Sequence, residues 1–369
     1  MAALSGVQTA AAGDFDRLRV ADVIPLPGMM ASPGKTALLL SPDGGLLLHL
    51  APGGDGLCLY GLAGGTPRRL RCATPDGVAD NVEGPFWSPD GSRATWPNWS
   101  AALMRLRDTD LQVLDLATMM ISGLTDDGFD GRFTEGAAPV DPAAGWQDAD
   151  TVLFVRLNPS ATDAKVWPLA ALYSVGMDGT VTEPFAAIGG RGWPNALAVA
   201  PDGRAVAFVL DDRKRPEDGG LFLLRLGDAA PIRTVPITAL AGAPRALAFS
   251  ADGGSILAST PSATGIAAMT VDVETGRASA FHPGERLNAA GCSPTGRALV
   301  HTVQADPGTG GGGGLFLPEP PGAPGRLLHP GTFTAPHCCT QILSWARNDT
   351  ILPGNTKTHD QPVLPRLVR

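Results

Sequence analysis

Ten residues of this chain carry side chains suited to holding or processing a ligand: Glu83, Trp96, Asn98, Arg156, Trp193, Asn195, Arg245, His301, His337 and His359. Trp96 and Trp193 offer flat faces for stacking, and Arg156 and Arg245 offer forked donors for an anion. Asn98 and Asn195 add amides that both donate and accept. Histidine changes charge near neutral pH, so a histidine with Glu83 is the acid–base combination available here. In an enzyme, His301 or His337 is the expected base.

Other reactive residue types are weaker guides. His337, Cys338 and Cys339 are consecutive, and a histidine beside a thiolate suits zinc or a nucleophile. No C-x-x-C or H-x-x-x-H accompanies them, and adjacent side chains on a strand point to opposite faces. Buried, inert cysteine is the reading this pattern favours, so no metal set is assigned and the cofactor is left unknown. Gly310–Gly314 precedes Leu-Phe-Leu-Pro rather than opening a helix after a strand, so it reads as a flexible linker rather than a phosphate cradle. No G-x-S-x-G is present.

These residues sit in a chain of 369 in which 44% are hydrophobic and 17% charged, a globular balance that excludes wholesale disorder. Forty-seven glycines and 34 prolines, evenly spread, imply many turns and many short strands. Net charge is −8, and no Lys/Arg block exceeds Arg213-Lys214-Arg215, which has Asp211, Asp212, Glu217 and Asp218 beside it. Nucleic acid and an anionic membrane surface are therefore not expected partners. The segment 1–17 lacks a basic start and a sustained apolar core, so it does not read as a secretory signal. The expectation is a cytoplasmic protein, or a periplasmic or secreted one if the chain is a processed form. With five cysteines in no regular framework, Cys58 and Cys72 are expected as reduced thiols, although they fall on neighbouring strands.

The elements that must position the candidate residues come from an internal repeat. LLLSPDGGLLLHL from Leu38, PFWSPDGSRATW from Pro85, LAVAPDGRAVAFV from Leu197 and LAFSADGGSILAS from Leu247 align at sight. AGCSPTGRALVHT from Ala290 keeps the frame. Each is a strand, a tight turn and a second strand, because Pro presets φ, Asp bonds its own backbone and Gly accepts positive φ. Two shorter copies share W-x-x-x-D-T-[VI]-L from Trp146 and Trp345. The anchors before the turns are Leu40, Trp87, Trp146, Val199, Phe249, Cys292 and Trp345, spaced 47, 59, 53, 50, 43 and 53 residues apart. A period near 50 with four strands per unit describes propeller blades. The 24 residues after Trp345 supply two further strands, around Thr350–Leu352 and Val363–Val368. The strand-like Leu18–Leu26 is then expected to complete the last blade and close the ring.

The repeat resembles the TolB-type (PD40, WD40-like) β-propeller family over nearly the whole chain, in five good copies and two degenerate ones. The expected fold is all-β: a seven-bladed propeller spanning residues 17–369 after a flexible segment 1–16, with six blades and a decorated end as the alternative count. The resemblance implies that ligands gather on the face where first strands begin and second strands end, and all ten candidates project there. Asp43, Asp90, Asp202 and Asp252 belong to the opposite, turn face and are structural. Oligogalacturonate lyases are related propellers with clustered metal-binding histidines. Here His329, His337, Gln341 and His359 are assigned to the last blade without the close histidine pairing. The lactonase-type Glu/Asn/Asp calcium site is likewise not demanded by the spacing of Glu83, Asn195 and Asp212. The leading functional reading is a binding or scaffolding propeller that takes a small molecule or protein partner at that face. The alternative is a small-molecule lyase, hydrolase or cyclase using the same channel mouth.

Overall fold

In the computed structural model, the structure describes residues 18–27, 29, 38–50, 56–73, 81–82, 86–99, 109–126, 140–157, 169–182, 186–191, 193–211, 219–227, 232–236, 243–244, 246–250, 252–262, 265–281, 287–292, 299–303, 313–317, 326–330, 344–347, 349–352 and 363–368. The described elements are strands of a β-propeller, with one short 3-10 turn at Ala63–Gly65. Strand β1 (Arg19–Pro25) precedes the first blade, which consists of β2 (Leu38–Leu40), β3 (Leu46–Leu50), β4 (Leu57–Gly61) and β5 (Arg68–Cys72). Blade 2 is β6 (Asn81–Val82), β7 (Phe86–Trp87), β8 (Arg93–Trp99), β9 (Leu111–Asp115) and β10 (Met120–Gly123), with β6 and β7 both pairing β8. Blade 3 is β11 (Val140–Trp146), β12 (Thr151–Leu157), β13 (Leu169–Gly176) and β14 (Ala186–Arg191). Blade 4 is β15 (Trp193–Val199), β16 (Ala205–Asp211), β17 (Gly220–Arg225) and β18 (Ile232–Pro236). Blade 5 is β19 (Ala246–Phe249), β20 (Ser255–Ser262), β21 (Gly265–Asp272) and β22 (Ala278–Phe281). Blade 6 is β23 (Leu287–Cys292), β24 (Leu299–Val303), β25 (Gly314–Leu317) and β26 (Arg326–Pro330), joined to blade 5 through Ile266 and Leu287. After these six blades come β27 (Ser344–Trp345), β28 (Ile351–Leu352) and β29 (Val363–Val368). His329 stands on the outer strand of blade 6.

Each hairpin is set by its turn. Asp43 accepts from Ser41 Oγ at 2.6 Å and from the Gly45 N–H at 2.9 Å, and Ser41 Oγ accepts from the Leu46 N–H. The same arrangement recurs at Ser88/Asp90 and Ser250/Asp252. At Gly203 φ is +70° and a Cβ would lie 2.7 Å from the Gln147 carbonyl, so glycine is required twice over. The turns between third and fourth strands use a second device: Asp115 accepts from the Thr118 N–H and Oγ1, and Asp272 accepts from the same atoms of Thr275.

The core lies between blades rather than within them. Blade 1 packs on blade 2 through Leu48, Leu59, Trp87, Trp96 and Leu114, and blade 3 on blade 4 through Leu153, Val155, Leu197 and Phe208. The innermost strands approach closely: a Cβ on Gly145 would sit 2.9 Å from Leu197 Cδ2. Trp87 and Trp146 each donate their indole N–H to the preceding blade's first strand, at the carbonyls of Leu39 and Phe86.

The chain ends meet. Strand β1 runs antiparallel to β29, from Arg19 opposite Val368 to Pro25 opposite Val363, and β28 reaches β29 through the Thr350–Arg366 bridge. On one side these strands pack on blade 6 through Leu18, Ile351, Leu367, Leu315 and Leu317. On the other they pack on blade 1 through Ile24, Leu352, Leu364, Leu38 and Leu47.

Cys58 and Cys72 depart from expectation. They are register partners on β4 and β5, with Cα atoms 4.0 Å apart, and they form a disulfide. The expectation of reduced thiols is corrected, because directly opposed positions at this separation present the two sulfurs to each other.

Candidate functional site

The candidate face is the one where first strands begin and second strands end. Near it, the first strands of several blades hold one residue more than their partners. In blade 3, Val140 pairs Leu157 and Ala143 pairs Val155, so Asp141 and Pro142 oppose Arg156 alone. In blade 4, Pro194 pairs Leu210 and Ala196 pairs Val209, leaving Asn195 as the surplus residue. In blade 6, Leu287 pairs Val303 and Ala289 pairs Thr302, leaving Asn288. A bulge turns a strand and re-aims the residue it releases. Three blades thus carry this irregularity at the same height, at the end where first strands begin.

Asp141 is the functional-type residue that sequence reasoning missed. It is 1% exposed, and Arg156 grips it with Nε to Oδ1 at 2.7 Å and Nη2 to Oδ2 at 2.6 Å. The guanidinium also lies over the rings of Phe154 and Tyr173, at 5.2 and 5.5 Å from their centroids. The Asp141 N–H donates to the Thr109 carbonyl of blade 2 at 2.9 Å. Arg156 and Asp141 thereby form a largely buried latch within blade 3, and the Asp141 N–H ties that blade's first strand to blade 2. No local pattern in the sequence signals Asp141, because its position opposite Arg156 depends on the register shift between Val140 and Ala143.

His301 is fully buried and stacks on its register partner Phe316, with centroids 5.7 Å apart and planes 17° from parallel. Blades 3 and 4 hold the same cross-strand pair, Phe154 on Tyr173 and Phe208 on Phe222. His301 thus occupies the aromatic core position of its blade. His49 does so in blade 1, 2% exposed and tilted against Tyr60. Trp96 does so in blade 2, fully buried in the packing against blade 1. The signal was available: His49, Trp96, Phe208 and His301 each stand nine residues past their anchors.

Trp193 opens β15 opposite Asp211 and is partly buried against the core between blades 3 and 4. Asn98 and Asn195 are placed as backbone on β8 and at the β15 bulge. Glu83, Arg245, His337 and His359 lie outside the described residues, as do the Gly310–Gly312 part of the glycine run and the segment 1–16. Of the four candidates with described side chains, Trp96 and Trp193 pack between blades, while Arg156 and His301 are engaged by partners within their own blades.

No protein-family model matches this chain, and no characterised protein matches it in sequence. Solved structures do. A chain of the mitotic checkpoint complex aligns over 100% of this chain and 99% of its own length, with a TM-score of 0.55 and 11% identity. TolB from Acinetobacter baumannii aligns over 80% of this chain at 18% identity with a TM-score of 0.47, and this chain spans 62% of TolB's length. At such identities the likeness is one of fold, and the fold is a β-propeller.

Proposed function

We propose that the protein is a binding or scaffolding propeller that engages a small molecule or a protein partner at the mouth of its axial channel. The observation that carries this reading is the recurring surplus residue at the mouth end of the first strands in blades 3, 4 and 6. Bulges cost ladder hydrogen bonds, and their repetition at one end of the first strands fits residues aimed at a ligand. Asn195 and Asn288 are the residues released there. The latch between Asp141 and Arg156 fixes the neighbouring wall.

On this reading β27, β28, β29 and β1 form a seventh blade, and β1 closes the ring. The pairing of β1 with β29, and the packing of these strands on both blade 6 and blade 1, support it. Nucleic acid and membrane stay outside the proposed partners, given the net charge of −8. The Cys58–Cys72 bridge favours an oxidising compartment over the cytoplasm.

Photo-crosslinking residues placed at Asn195 and Asn288, and for comparison at Asp43 and Asp252 on the turn face, test the reading in living cells of the native host. Adducts from the first pair and none from the second are expected. Adducts from the turn face alone would contradict a mouth site.

A further inference from the structure

The outer strand of blade 1 is unlike the other outer strands. Its sequence, Arg68-Arg69-Leu70-Arg71-Cys72, places three guanidinium groups within four residues of a chain whose net charge is −8. All three arginines are exposed, and Leu70 among them is 37% exposed. Among the described residues no carboxylate pairs with any of them; Arg71 alone makes a hydrogen bond, from Nη1 to the Ala117 carbonyl of blade 2.

Cations on an edge strand commonly serve to keep one sheet from pairing with another. That role does not explain the cluster, because β10 and β22 are outer strands with no cation at all. A bulge at Leu70 already interrupts the edge, since Leu59 pairs Arg71 and Tyr60 pairs Arg69. The bulge places Leu70 over Gly61 on the side facing blade 2, where Arg71 also reaches. The disulfide from Cys72 to Cys58 fastens the strand at the end of this run. The result is a held strip of positive charge around one exposed apolar side chain.

We infer that this strip is a docking surface, separate from the channel mouth, for an extended acidic segment of a partner protein. Carboxylates of the segment meet Arg68 and Arg69 as forked ion pairs, and an apolar residue among them covers Leu70. Recognition runs through side chains, because the bulge breaks the backbone ladder that an added strand would need.

Fluorescence anisotropy with a short labelled peptide alternating glutamate and leucine tests this on the full-length, oxidised protein at low salt. Saturable binding is expected, falling as salt rises and vanishing when glutamine replaces glutamate in the peptide. Arg68→Glu/Arg69→Glu should weaken it by about tenfold or more, as loss of two exposed ion pairs and gain of repulsion predicts. If that variant melts early, Arg68→Gln/Arg69→Gln serves, with the same direction expected. No binding, unchanged affinity in the folded variant, or equal affinity for an oligonucleotide of matching charge would overturn the inference. Ligand capture at Asn195 and Asn288 is read separately, so either proposal can fail alone.

Discussion

His301 is a residue whose type and whose packing point to different roles. As a histidine near a predicted mouth it reads as a base, yet its ring fills the place that phenylalanine fills in blades 3 and 4. His301→Phe keeps the ring volume while giving up the imidazole nitrogens, so in urea unfolding it should be a milder change than truncation. His301→Ala should cost about 2–5 kcal/mol through the cavity it leaves. A strong loss in the phenylalanine variant would mean that the imidazole nitrogens matter. Asp141 and Arg156 give a sharper case, because both groups are withdrawn from water. Arg156→Leu strands a buried carboxylate and should cost about 3–5 kcal/mol in urea unfolding, while Asp141→Leu/Arg156→Leu should recover much of it. Equal stability of the single and parent proteins would show that the latch carries nothing. Type and spacing exposed Arg156 as a candidate, but its partner was not legible, because the bulge that brings Asp141 opposite it has no local sequence code.

The hairpin is the element most legible in the sequence, since Ser-Pro-Asp-Gly writes its turn in four consecutive residues. Hydrogen bonds from Ser41, Ser88 and Ser250 hold the carboxyls of Asp43, Asp90 and Asp252 below their ordinary value of 3.8. A depressed folded value means that these groups stabilise the fold above about pH 4 and lose that contribution as pH falls through the folded value. Asp43→Asn/Asp90→Asn/Asp252→Asn should thus lose less stability than the parent between pH 5 and pH 2, as urea midpoints would record. An identical pH slope would contradict the assignment. Outer strands were harder to read. The run Arg68–Arg71 escaped notice because Leu70 interrupts its charges, and the Cys58–Cys72 bridge escaped because two cysteines fourteen residues apart carry no register. Closing a loop of that length is worth about 3 kcal/mol. Reduction should therefore lower the melting temperature and speed tryptic cleavage at Arg68, Arg69 and Arg71. Unaltered cleavage would show that β5 is held by its ladder alone.

For the whole molecule, a single mouth exists only if the ring is closed, so the account rests on β1. Seven anchors at a period near 50 made the propeller legible, and the short remainder after Trp345 pointed to the N-terminal strand. The candidate site was less legible, because it depends on where one surplus residue falls in the first strands of blades 3, 4 and 6. Strand β1 brings Leu18, Ile24 and Leu26 into the packing on both neighbours, with exposures of 3%, 1% and 0%. Burial of such side chains is worth about 1.5–3 kcal/mol each. The direct measurement is the thermal unfolding of a chain lacking residues 1–26. The account predicts a melting temperature lower by roughly ten degrees or more, together with loss of crosslinking at Asn195. A melting curve that coincides with that of the intact chain would contradict closure through β1, and with it the single mouth.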